Sequence, residues 1–240
     1  LPKPEALARL APEKSAPRIE AAMADLGTRI ADARDARRRY RAAPRFAPAG
    51  QSTQMIIGAD QTPDLGILGT ASRLYADHAM RRVYYSAYSP IPDASRTLPP
   101  IRPPLVREHR LYQADWLIRF YGFSLADLGS AAPGGDFPLE IDPKLAWALG
   151  NRHFFPIDVN RAPREQLLRV PGLGTKVVAR ILAARRQHSL RWADVARLVS
   201  SPAKVKPFLT TPDWRPTRLA DRADLRALVA PPRQGDLFAA

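Results

Sequence analysis

The chain has no cysteine among its 240 residues. That excludes a disulfide framework, a zinc-thiolate site and any iron-sulfur cluster held by its own thiolates. It is short of negative charge, with 23 Asp and Glu against 37 Lys and Arg, a formal net charge of +14. It also lacks an apolar run as long as a membrane span and lacks the pattern of a signal peptide, so a cytoplasmic protein with no membrane partner is the expectation. No methionine opens it: the first residues are Leu1-Pro-Lys-Pro.

What is present is enough apolar content, 45% of residues, for one large or two smaller cores. The charge is unevenly placed. Residues 1 to 152 carry 21 basic and 16 acidic side chains, a net +5, whereas residues 153 to 240 carry 16 and 7, a net +9. The footprint for a polyanion such as nucleic acid therefore lies toward the C-terminal end.

Periodicity predicts a helix over residues 15 to 40, with Ile19, Met23, Leu26 and Ile30 on one face and Arg37-Arg38-Arg39 at its end. "STQMIIG" (52 to 58) and "RVYYSAY" (82 to 88) read as strands, separated by a helix over 64 to 77. After a proline-rich loop, residues 104 to 123 read as a helix with Leu105, His109, Tyr112, Trp116 and Phe120 on a face expected to pack. A lone histidine such as His109 on that stripe reads as a packing residue rather than a catalyst.

Strand, helix, strand with a long crossover is the rhythm of a parallel sheet. Two strands are few for such a sheet, so the first domain is expected to be a piece of a larger α/β unit. The expected fold class is thus α/β, a partial parallel sheet forming an incomplete TIM-barrel-like unit over 1 to 130. A linker and short helix (131 to 152), a small all-α domain (153 to 213) and a basic tail (214 to 240) follow.

The motif of the all-α domain is "VPGLGTKVVARI" (170 to 181). Asn160 is placed to cap a first helix with Pro163 and Glu165 in its first turn, and Thr175 to cap a second with Val177, Val178, Ile181 and Leu182 inward. Between them Gly172, Leu173 and Gly174 form a loop in which glycine permits positive dihedrals and close backbone approach. Unpaired amides at the second helix start suit a phosphate, and Lys176 and Arg180 add charge without reading bases. A packing turn or a protein-contact hairpin is the alternative. "RWADVARLVSSPAKVKPFL" (191 to 209) reads as a second hairpin without the glycine loop, in which Lys204 and Lys206 are available to a backbone.

Residues 157 to 186 resemble the helix-hairpin-helix family of DNA-binding modules, which implies non-sequence-specific contact with DNA. "RFAPAGQSTQMIIGAD" (45 to 60), "RRVYYSAYSPIP" (81 to 92) and "PPLVREHRLYQADWLIRFYGF" (103 to 123), followed by that hairpin, resemble the C-terminal part of the DNA modification/repair radical SAM proteins. The resemblance implies a partial barrel, S-adenosylmethionine and a 4Fe-4S cluster on three cysteines. None of these cysteines is in the chain, so it is expected to bind no such cofactor alone and to be either the back half of a longer enzyme or a cluster-free nucleic-acid-binding protein. The resemblance also places Gln51, Gln54, Gly58 and Asp60 toward the cofactor, while fold-only roles remain open for each. Tyr84, Ser86 and Tyr88 alternate onto one strand face, lining a cleft or packing under a helix.

Finally, Gln234-Gly235-Asp236-Leu237-Phe238 resembles the pentapeptide by which bacterial repair proteins dock on the sliding clamp, with Gly235 where leucine is usual. Gln234, Leu237 and Phe238 are the implied anchors. The alternative is that Leu237 and Phe238 fold onto the protein's own surface.

Overall fold

The two β-branched and aromatic runs form strands β1 (Ser52–Ile57) and β2 (Arg82–Ala87), paired in parallel with Met55 opposite Tyr85. The computed structural model describes residues 1–92, 97–216 and 223–230. It divides into two units, Leu1–Asp115 and Trp116–Ala240. Together they are a mixed helix and strand architecture with two small parallel sheets.

In the first unit, α1 (Pro4–Leu10) and α2 (Ala16–Arg39) precede β1, and α3 (Asp64–His78) is the crossover to β2. Alternation along the strands buries Met55, Ile57, Val83 and Tyr85 and leaves Gln54 and Tyr84 outward. The outer edge of β2 is occupied by side chains. The amide of Val83 donates to Tyr75 Oη, that of Tyr85 to Tyr112 Oη, and that of Ala87 to Glu108 Oε2, at 3.0, 3.0 and 2.9 Å. Tyr112 Oη in turn donates to the Tyr85 carbonyl. An edge closed in this way does not offer free donors to another strand.

Helix α4 (Leu105–Tyr121) supplies Tyr112 and Glu108, and corrects the expected face. Its buried stripe is Leu111, Ala114, Asp115 and Leu117, while His109 is exposed and Leu105, Trp116 and Phe120 are about half exposed. The reason is polar. Asp115, 1% exposed, accepts from Tyr75 Oη at 2.7 Å and Tyr85 Oη at 3.1 Å, which turns that side of the helix inward. Burial and the neighbouring Asp115 carboxylate push the Tyr85 phenol far above its ordinary value, so it stays a donor.

In the second unit, α5 (Leu125–Gly129) opens with a capping box between Ser124 and Asp127. Helix α6 (Pro143–Gly150) is capped by Asp142 and buries Leu145 and Trp147. A 3-10 turn (Arg152–Phe154) leads to β3 (Ile157–Asp158), then α7 (Arg164–Arg169), α8 (Thr175–Ala184), α9 (Trp192–Leu198), α10 (Pro202–Val205) and a second 3-10 turn (Lys206–Phe208). Strand β4 (Leu209–Thr210) pairs in parallel with β3, so this unit is not wholly helical. The segment expected to be a linker is core. Trp147 meets Phe123, Phe154 and Phe155 edge to face with ring centres 5.3, 5.4 and 6.1 Å apart. The segment expected as a tail contains α11 (Leu225–Val229), whose Leu225 and Val229 are buried. The clamp-like residues Gln234, Leu237 and Phe238 lie outside the described residues. Among the described residues no helix is long and apolar enough to cross a membrane.

Replacing Asp115 by alanine leaves two phenol hydroxyls without their acceptor, and is expected to destabilise the first unit by about 3 kcal/mol. Urea denaturation followed by tyrosine fluorescence measures this.

Candidate nucleic-acid interface

Helix α7 is held by its last residue. The Arg169 guanidinium lies 4.6 Å from the Phe123 ring centre and 4.8 Å from that of Trp147, and donates to both Asp127 oxygens at 3.0 and 3.1 Å. Burial raises the Asp127 carboxyl, but Arg169 and Ser124 outweigh it and hold it below the ordinary value. Arg169 is thereby committed to the core. At the hairpin's base, Asn160 does not cap α7. Its amide donates to the Leu190 carbonyl and accepts from the Leu190 amide, at 3.0 and 2.8 Å, while Pro163 stands at the N-cap. This fixes Leu190, in the loop between α8 and α9, against Asn160, in the segment ahead of α7.

The turn runs from Val170 to Gly174, and the two glycines differ. Gly172 has φ +84°, and a Cβ there would lie 2.8 Å from Cγ2 of Val205 in α10. Glycine is required by the backbone and by the neighbour together. Gly174 has φ −89° and ψ 166°, extended values open to any residue, and a Cβ there would meet only Tyr121 Oη at 3.7 Å. The expected positive dihedral is absent because Gly174 serves as N-cap of α8. Thr175 is therefore the first residue of the helix rather than its cap.

Leu173 also differs from expectation. Its side chain is 1% exposed and plugs the core, so it presents only backbone to the surface. Its carbonyl accepts from Lys144 Nζ at 2.6 Å. Lys144, 8% exposed on α6, is not singled out by the sequence, where Asp142 and Lys144 are the two charged residues of the otherwise apolar "IDPKLAWALG" (141 to 150). Its ring neighbour is Tyr121, 4.7 Å from Nζ. Burial pushes its ammonium down to about 7, against the raising effect of Asp142 and with a lowering effect of Lys204.

The outward side of the hairpin is donor-rich. The amides of Gly174, Thr175, Lys176 and Val177 have no acceptor among the described residues, and the first intrahelical bond runs from Val178 to the Gly174 carbonyl at 2.9 Å. In α8, Val178 and Ile181 are buried, whereas Val177 and Leu182 are only half-buried. Lys176 and Arg180 are exposed one turn apart. The second hairpin offers less. Lys204 donates to Asp142 at 2.6 Å, and Lys206 sits 4.1 and 5.4 Å from the ring centres of Trp214 and Trp192. Both expected backbone contacts are thus engaged internally.

The four residues placed toward a cofactor are not gathered. Gln51 precedes β1 and donates to the carbonyls of Met23 and His78, at the opposite strand end from Gly58. Gln54 donates to Ser86 Oγ on the outward face, which places Ser86 beside it and half-exposed Tyr84 next along the strand. Gly58, with φ +77°, gives room to Pro103, whose Cγ would lie 2.5 Å from a Cβ. Asp60 spends both carboxylate oxygens on Thr62, at 3.1 and 2.9 Å. Only Gly58 and Asp60 share a cavity, about 450 Å³ beyond the end of β1, with Arg9, Gln61 and residues 97 to 99. Without cysteine the chain does not fit a 4Fe-4S cluster, and among the described residues no group of three His, Asp or Glu is placed to hold a metal ion.

Searched against protein-family models, curated proteins and solved structures, the chain matches none.

The two glycines should respond differently to alanine. Gly172→Ala is expected to cost about 2 kcal/mol or more from its dihedral and the clash with Val205, whereas Gly174→Ala should stay within about 0.5 kcal/mol. Thermal unfolding of the two variants is the measurement.

Proposed function

We propose that the second unit binds duplex DNA through its phosphate backbone, without sequence preference, at the α7–α8 hairpin. The observation that carries this reading is the run of unpaired amides from Gly174 to Val177, flanked by exposed Lys176 and Arg180. Such amides and the positive end of α8 favour an anion, and lysine and arginine one turn apart follow a backbone rather than base edges. The net +9 of residues 153 to 240 extends the attraction beyond the hairpin.

A second reading adds chemistry to this binding: the chain is the DNA-holding, C-terminal portion of a DNA modification/repair radical SAM enzyme. One observation favours it, the parallel pairing of β1 and β2 across α3, which is the repeat of such a barrel. In that case the cysteines for the cluster come from residues outside this chain, and no step of the reaction is carried by the residues described. In the first reading the α/β unit is a scaffold and the protein is a binder alone.

Affinity for a duplex of mixed sequence should fall linearly with the logarithm of salt concentration. Lys176→Gln and Arg180→Gln should each reduce that slope by about 1 and weaken binding equally for unrelated sequences. Fluorescence anisotropy across a salt series measures both, and an unchanged slope in the double variant sinks the hairpin as the contact.

A further inference from the structure

The peptide between Leu173 and Gly174 has one side committed. Its carbonyl accepts from the buried ammonium of Lys144 at 2.6 Å. In a planar trans peptide the N–H points opposite to the C=O. The Gly174 N–H is therefore directed away from Lys144, and it has no acceptor among the described residues.

Lys144 is also a buried cation without an ion-pair partner among the described residues. The acid nearest in sequence, Asp142, is taken by Lys204 Nζ at 2.6 Å and by the Leu145 amide at 2.9 Å. Burial alone would raise the Asp142 carboxyl, but Lys204 and that amide hold it below its ordinary value. The groups around Lys144 are thus Asp142 from its own helix, Lys204 from α10, the Tyr121 ring from α4 and the Leu173 carbonyl from the hairpin. A buried charge left unbalanced disfavours folding unless something compensates it. An anion seated on the hairpin amides is such a compensation.

We propose that Lys144 is the positioning residue of the hairpin's phosphate seat: it turns the Gly174 N–H outward and supplies, from below the loop, a charge that the bound phosphate balances. This rests on the hairpin being a phosphate site. Lys144 touches no DNA and acts through the Leu173–Gly174 peptide.

Proton coupling follows. In the free chain the ammonium loses its proton near pH 7, and a phosphate nearby favours the charged form, so binding takes up a proton above that pH. Affinity is then full below about pH 7 and declines as pH rises. Stability of the free chain runs the other way. The folded value lies below the ordinary 10.5, so the unfolded chain holds the extra proton between about 7 and 10.5, and stability rises across that window.

The test uses the whole chain and a short fluorescein-labelled duplex at constant low ionic strength. The unmodified protein is expected to lose about tenfold in affinity between about pH 6 and pH 9. Lys144→Met is expected to bind more weakly at the acid end and to show a flat profile. His153→Gln with His188→Gln should keep the original slope, which separates the lysine from the two imidazoles of this unit. Calorimetry of the unmodified protein in two buffers of different ionisation enthalpy reads the same proton uptake without any variant, so a Lys144→Met protein that fails to fold leaves the question decidable. DNA binding with no proton uptake, or a Lys144→Met protein that keeps the pH slope, overturns the role of Lys144 while the hairpin reading stands. An unmodified protein that binds no duplex at any pH overturns both.

Discussion

The Arg169 guanidinium is stacked against Phe123 and Trp147 while it forks onto both oxygens of Asp127, so one side chain joins α7 to α5 and to the aromatic core around α6. Its carboxylate partner is itself fixed by the Ser124 capping box. A planar, permanently charged group satisfies rings and carboxylate at once, which a lysine ammonium would not do. Because Arg169 is the last residue of α7, the geometry of the following turn starts from this anchor. The hairpin is short, and its position is set by what lies beneath it rather than by its own helices.

Three further constraints act on the same turn. Gly172 brings its backbone against Val205, Lys144 holds the Leu173 carbonyl, and Asn160, ahead of α7, is tied to Leu190, beyond α8. Each removes one freedom from a segment that, in isolation, has too few residues to be helical at all. What remains unconstrained is the outward row of amides. In the proposed reading, donors already aimed lose little entropy when an anion arrives, the physical advantage of a rigid turn.

The strands and the long helices were legible because apolar runs and three-to-four residue spacing follow directly from backbone geometry. β1, α3, β2 and α4 all fall within a residue or two of their sequence-based bounds. What spacing does not reveal is which face wins. On α4 the aromatic stripe lost to Asp115, since a carboxylate with two phenol donors is satisfied only inside, while Trp116 and Phe120 tolerate water. The hairpin was legible as a turn from its glycines, yet sequence alone treated Gly172 and Gly174 alike. Their difference depends on Val205, thirty-odd residues onward, and on Tyr121, some fifty residues before. Lys144 was invisible for the same reason: its partner is a main-chain carbonyl far away in sequence, and no side-chain pattern records it.

The first unit bears on the choice between scaffold and enzyme through its edges. At β2 the alternate amides of Val83, Tyr85 and Ala87 are satisfied by two phenols and a carboxylate, and one of those phenols also closes the Tyr85 carbonyl. A further strand on that side would have to displace all of them and leave Tyr75, Tyr112 and Glu108 without these partners. The pair therefore terminates at β2. With this edge occupied, a larger parallel sheet that keeps these contacts extends from β1. A scaffold reading and a barrel reading differ only on that side, because β2 is finished in both.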